Sequence, residues 1–239
     1  DAGWYVCPDG TSAESYVPGH DWWDTVGTWE LDPRKWPDQT FLESTDFARE
    51  HGMKTLVWFE PERVTDPESL AKNYGYNIDW AIRVDGEATI SNNIGDPACR
   101  KWTTERICKM LRQNKVEMYR EDNNCNPATL WQHLDSLEGE NRYGITESKF
   151  IIGHYQMWDD IIACTLSYGG CGFVDSCASG GGRNDLESMR RGVPLLRSDS
   201  DRTSTALRLS MTTSFNKWIP FCGANTKEKL SQLAPTGIS

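Results

Sequence analysis

Short apolar runs recur along this chain, at residues 2–6, 55–59, 116–120, 173–176, 193–197 and 218–221, and between most of them lie stretches with helical spacing. This alternation narrows the fold more than any other feature. Strands that alternate with helices pair in parallel, because a parallel connection needs a crossover long enough to hold a helix. Some helices announce their own starts. Asp96-Pro97 puts a capping side chain before a proline at the first helical position, and the pattern runs on to about Gln113. Asp66-Pro67 opens a shorter helix, and residues 39–51 end on Gly52, a helix stop. Further helices are expected at 129–137, 155–167, 186–191 and 202–215, with a small strand at 80–84. A long polar, Trp-rich loop is expected from 7 to 37, and the polar tail from 227 is expected to fray. With 239 residues, no repeat and no linker, the chain reads as one domain.

Composition removes several classes of function. The net charge of −10 speaks against nucleic acid or an anionic membrane as partner, and no apolar run reaches the length of a membrane span. Eight cysteines form no C-x-x-C pair and no paired histidine joins them, so no metal site is expected and buried free thiols are the default. No Rossmann or P-loop signature calls for a cofactor.

In an α/β barrel, acids at the C-terminal ends of strands face the active site. Asp1 stands at the first run, Glu60 and Glu62 follow the second, Asp122 the third and Asp199 the fifth. The fourth ends in Cys177 and the turn Gly180-Gly181-Gly182, followed by Arg183-Asn184-Asp185. One carboxylate after a strand is usually a cap. Four strands ending this way point to a site, because carboxylates are rarely buried unpaired. Arg120 lies two residues from Asp122 and so on the same face of its strand, where it is expected to pair with Asp122 and keep it charged. The three glycines permit close approach of backbone to a ligand. Asp185 reads as a helix cap; it and Asp201 are the rivals to Asp199.

Asp1-Ala2-Gly3-Trp4, Trp58-Phe59-Glu60-Pro61-Glu62, Tyr119 to Asn124, Cys177 to Asp185 and Arg197-Ser198-Asp199 together resemble the α-galactosidases of glycoside hydrolase family 36, in that family's order and spacing. The branch most similar includes α-galactosaminidases. The resemblance implies a TIM-type (β/α)8 barrel and a retaining exo-glycosidase that acts on terminal α-linked galactose or galactosamine-type sugars. It makes Asp122 the nucleophile and Asp199 the acid/base. It assigns Asp1 to gripping sugar hydroxyls, Trp58 to the pocket wall, and Cys177 and Gly180 to the loop near the sugar's 2-position. Trp4, Arg120 and Arg197, in the same motifs, are carried as sugar-binding candidates.

The sequence departs from the family at three places. Ala2 stands where a second acid is frequent, Arg120 where Lys is, and Ser200-Asp201 follows the Ser-Asp pair. A non-catalytic galactoside-binding barrel of the same ancestry is the alternative reading, and a homo-oligomer is left open. About six strands do not close an eight-stranded barrel. The expectation is therefore that residues 1–239 are the catalytic barrel segment of a longer protein, which supplies the missing strands and the family's flanking β-sandwich domains.

Overall fold

The computed structural model describes residues 1–14, 17, 19–196, 198–199, 204–215 and 217–219. In chain order the elements are α1 (Leu42–Glu50), β1 (Leu56–Phe59), α2 (Pro67–Tyr74), β2 (Ala81–Val84), β3 (Glu87–Asn92), α3 (Pro97–Gln113), β4 (Met118–Glu121), α4 (Ala128–Glu138), α5 (Ile145–Leu166), β5 (Val174–Ser176), a kinked turn α6 (Ala178–Gly181), β6 (Gly192–Val193) and α7 (Thr205–Phe215). The strands β1, β4, β5 and β6 pair in parallel in that order, and β2 and β3 form a separate antiparallel pair. A doubly wound sheet reverses its strand order at a switch point. Here the order follows the sequence without reversal, as in one arc of a (β/α) barrel.

Several helix ends follow local signals. Asp96 accepts the N–H groups of Ala98 and Cys99, and Asp66 accepts that of Ser69, each ahead of a proline in the first turn. The start of α5 has no such local signal. Its flanking Gly144 is left-handed, and its first N–H groups are satisfied from another helix: Asp135 of α4 accepts Gly144 N at 2.6 Å and Thr146 N at 2.9 Å. The helix therefore begins ten residues earlier than the sequence reading placed it.

The core lies on both faces of the parallel sheet, as parallel sheets require. Trp4, Tyr5, Trp29, Phe41 and Phe59 form one continuous aromatic cluster, and Ile107, Leu111, Met157, Trp158 and Ile161 from α3 and α5 join the same core. Each such side chain contributes about 1.5–3 kcal/mol on burial. Gly153 of α5 packs so tightly on the Ile94 carbonyl that a methyl group there would stand 2.4 Å from it.

Three strand expectations change. Residues 2–6 do not join the sheet. Tyr5 and Val6 form only single antiparallel bridges to Leu31 and Ser12, because the chain turns back at Pro8–Gly10 and the returning loop takes their backbone groups. The fifth strand is shorter than expected, Gly192–Val193. Of the sixth, Trp218 and Ile219 are not in a strand, and residues 220–221 lie outside those described. The strand β3 was not anticipated, although Asp85-Gly86 is a hairpin signal. Both residues have positive φ (52° and 86°), as a tight two-residue turn demands.

Candidate active site

Strand register puts the site together. Trp58, Arg120 and Asp175 are direct neighbours across β1, β4 and β5. Side chains alternate along a strand, so Asp122 and Cys177 stand on the same face one step toward the C-terminal ends. The Asp122 carboxylate is oriented from two sides. Trp58 Nε1 donates to Oδ2 at 3.2 Å, and Asn123 N donates to Oδ1 at 2.9 Å. Its own N–H bonds to Phe59 O at 2.9 Å, fixing the turn to β1. Trp58, expected as a pocket wall, is 2 % exposed: its indole holds the Asp122 carboxylate rather than offering a face to a sugar, and it rests on Trp4, whose Nε1 donates to Trp58 O at 3.0 Å.

Cys177 is buried against Asp122. Burial first, and then the negative charge of Asp122, push its thiol up to about 12, so it stays protonated as a weak donor beside the carboxylate. The turn that follows enters the left-handed region at Ser179 (φ 56°), where a side chain is strained, and at Gly180 (φ 63°), where glycine is at ease. Ser179 Oγ donates to Asn123 O and ties the turn to the end of β4. A methyl group on Gly180 would stand 3.1 Å from Asp199 Oδ2, so the glycine is what admits the Asp199 carboxylate. Asp199 itself is exposed.

The expected partner of Arg120 is corrected. Its Nη1 donates to Asp175 Oδ2 in a buried ion pair, while Asp122 is only a more distant charge. Burial alone would lower the Arg120 pKa, but the Asp175 carboxylate, with smaller help from neighbours that include Asp122, raises it overall. Asp175 is 1 % exposed and also accepts Leu195 N at 3.0 Å, which links the pair to the segment after β6. Asp175 was the overlooked member of the site. Its spacing of two from Cys177 was the available signal.

Glu60 and Glu62 do not present free acids. Glu60 takes both Nε and Nη2 of the buried Arg63, at 2.9 and 2.7 Å, and accepts Asn124 N at 2.8 Å. Glu62 takes Arg183 Nη1 and Nη2 at 2.8 and 3.1 Å, and Arg183 also donates to Cys125 O. Burial raises both carboxyl pKa values against these partners. The two ion pairs brace the loop after β4 and the glycine turn against the end of β1. Asp185 is a cap, as expected. It accepts Glu187 N at 2.7 Å and Ser188 N at 2.9 Å, and the bonds from Ser188 and Glu187 outweigh its partial burial and lower its pKa, the wrong direction for a general acid.

Trp4 is likewise corrected. At 7 % exposure, packed edge-on to Phe41 and Phe59, it supports Trp58 from below and offers no face to a sugar. Asp1 is exposed, with Oδ1 accepting Ala2 N at 2.9 Å. Arg197 and Asp201 lie outside the described residues. Among the described residues, no group of three or more His, Cys, Asp or Glu side chains is placed to hold a metal ion, and no helix is long and apolar enough to cross a membrane.

Behind β4, on the helix side, Glu121 is fully buried and accepts Tyr119 OH and Trp158 Nε1, each at 2.6 Å, and His154 Nε2. Burial works to raise its pKa, but the His154 interaction and these donors lower it overall. This network locks the strand that carries Asp122 onto α5.

Comparison with known proteins agrees with this geometry. The chain is 23% identical over 219 residues to alpha-galactosidase 1 of Pediococcus pentosaceus, covering 89% of this chain. It superposes on the alpha-galactosidase of Lactobacillus brevis with a TM-score of 0.62 at 23% identity over 87% of this chain. It also superposes on the GH36 alpha-galactosidase AgaA of Geobacillus stearothermophilus, solved as a variant with raffinose, with a TM-score of 0.62 at 18% identity over 85% of this chain. These structures share its fold, a TIM-type barrel. The chain spans 28% of the length of the Pediococcus and Lactobacillus relatives and 29% of that of the Geobacillus structure. The melibiase family model matches residues 13–225, a stretch that holds Trp58, Arg120, Asp122, Asp175, Cys177, Gly180 and Asp199, and the chain belongs to the melibiase family.

Proposed function

We propose that this chain carries the catalytic carboxylates of a retaining exo-glycosidase that hydrolyses terminal α-galactosides or α-galactosaminides, as the catalytic barrel segment of a longer enzyme. Asp122 acts as nucleophile and Asp199 as acid/base. The Asp122 carboxylate attacks the anomeric carbon while Asp199 gives its proton to the departing glycosidic oxygen, leaving a covalent glycosyl-enzyme. Asp199 then takes a proton from water, whose oxygen attacks the same carbon and releases the sugar with its configuration retained. The observation that carries this reading is the Asp122 carboxylate at a strand end, aimed by Trp58 Nε1 and Asn123 N, with Cys177 beside it. The close approach of Asp199 to Gly180, in the turn that begins at Cys177, supports the second role. Two N–H donors, one of them on a packed indole, limit the carboxylate to one orientation, which is what an in-line attack needs.

The test is hydrolysis of aryl α-galactoside, aryl α-galactosaminide and raffinose by the full-length protein. Asp122→Ala should lose several orders of magnitude in kcat, and azide should restore part of it as the glycosyl azide of inverted configuration. Near-normal turnover by Asp122→Ala would remove Asp122 from the mechanism. Sugar binding by the parent protein without any turnover would instead leave a galactoside-binding barrel.

A further inference from the structure

Cys108 of α3 and Cys164 of α5 stand side by side where the two helices pack, in the helix layer rather than at the strand ends. Their thiols hydrogen-bond to each other, and Cys164 Sγ lies 3.7 Å from Cys108 O. Both are free thiols. Arg112, one helical turn after Cys108, donates from Nη2 to Cys164 Sγ at 3.5 Å. Packing alone does not account for this contact. A buried thiol needs no cation, and Arg112 is an exposed residue with water at hand. Two sulfur atoms already in contact on facing helices meet the first requirement of a disulfide.

The contact makes the two thiols unequal. The Cys108 hydrogen bond, and to a smaller extent Arg112, outweigh burial and bring Cys164 down to about 7, so that about half of it is thiolate at neutral pH. The Cys164 interaction first, and then burial, raise Cys108, and Asp160 adds to the rise. Burial pushes up the thiols of the other described cysteines, Cys7, Cys99, Cys125, Cys171 and Cys177. A surface cleft of about 510 Å³ is lined by Cys108 and Arg112, the two groups that touch Cys164. Cys164 itself is 7 % exposed, so this route admits only a small reagent.

We propose that Cys108 and Cys164 are an oxidation site that reacts with hydrogen peroxide and closes to a disulfide between α3 and α5. The Cys164 thiolate attacks one peroxide oxygen and the O–O bond breaks. The other oxygen leaves as hydroxide and takes up the proton that the thiol had released, giving water. Cys164 is then a sulfenic acid. Cys108 sulfur attacks the Cys164 sulfur, the S–O bond breaks, and the hydroxyl leaves with the Cys108 proton as a second water. The two thiols lose two electrons in all, and the peroxide gains them. The bond joins the helix that leads into β4 to the helix that leads into β5. This site is independent of the glycosidase reading.

The test treats the reduced full-length protein with one equivalent of hydrogen peroxide at pH 7, alkylates it, and maps the peptides by mass. A linked Cys108–Cys164 peptide pair should appear ahead of oxidation at the other described cysteines, and dithiothreitol should return both thiols to alkylation. Cys108→Ser keeps a hydroxyl donor beside Cys164 but cannot close the bond, so it should stop at a Cys164 sulfenic acid that dimedone traps. Cys164→Ser should leave Cys108 to react roughly tenfold more slowly, as a protonated thiol does. Peroxide that oxidises other cysteines while Cys108 and Cys164 stay free to alkylate overturns the proposal. So does a disulfide from Cys164 to any other partner, or a Cys108→Ser protein whose Cys164 takes up no dimedone.

Discussion

Arg120 and Asp175 form a buried ion pair on the face that carries Asp122, and removing one partner separates structural support from chemistry. Asp175→Ala leaves the largely buried Arg120 guanidinium without its counter-charge and strips Leu195 N of its acceptor. Breaking a buried pair in this way costs about 3–5 kcal/mol. Asp175→Asn keeps an acceptor for Leu195 N and should cost less, roughly 2–3 kcal/mol. For a domain of this size a loss of 1 kcal/mol lowers Tm by about 2–4 °C, so Asp175→Ala should lower it by roughly 6–20 °C. The double variant Arg120→Met with Asp175→Leu replaces both charges by apolar groups and should recover most of that loss. It should not recover activity, because the cation nearest the Asp122 carboxylate on its own strand is gone. Calorimetry and hydrolysis of an aryl α-galactoside by the full-length protein, run on the same preparations, separate the two effects. A Tm drop below about 3 °C for Asp175→Ala, or a double variant no more stable than the single one, refutes the ion-pair reasoning.

Two further perturbations test other parts of the site. Gly180→Ala places a methyl group 3.1 Å from Asp199 Oδ2 at a φ of 63°. Hydrolysis should fall at least tenfold with about 1–2 kcal/mol lost in unfolding, and unchanged kcat/KM would show that the close approach is dispensable. Glu121 has a pKa lowered below its ordinary 4.5, so the stability it contributes is present above that value and disappears as pH falls through the folded-state value. Glu121→Gln should therefore flatten the acid limb of the stability–pH curve below about pH 4.5, and an unchanged limb would mean that other carboxylates control it.

Much of the fold was legible in the chain because its causes are local. The Asp-Pro starts of α2 and α3, the strand at 56–59 and the alternation that implies parallel pairing all follow from residues close together in sequence. The candidate site was legible to the same depth. A period of two puts Arg120 with Asp122, and Asp175 with Cys177, on one face, and the glycine turn marks where a backbone must come close. Asp85-Gly86 was an equally local signal for the hairpin of β2 and β3, and reading it would have found the missing strand. What the sequence left open is lateral. Periodicity fixes which residues share a face of one strand but says nothing about which residue of the next strand stands opposite. Arg120 had several carboxylates to choose among, and the β4–β5 register selected Asp175 over Asp122. The same holds for Glu60 and Glu62, whose arginines belong to other loops, and for α5, whose capping carboxylate comes from α4. Trp4 and Trp22 are both tryptophans beside Trp58, yet one is sealed beneath it and the other is left partly exposed. That difference depends on the path of the 7–37 loop, and only the packed tertiary structure decides it.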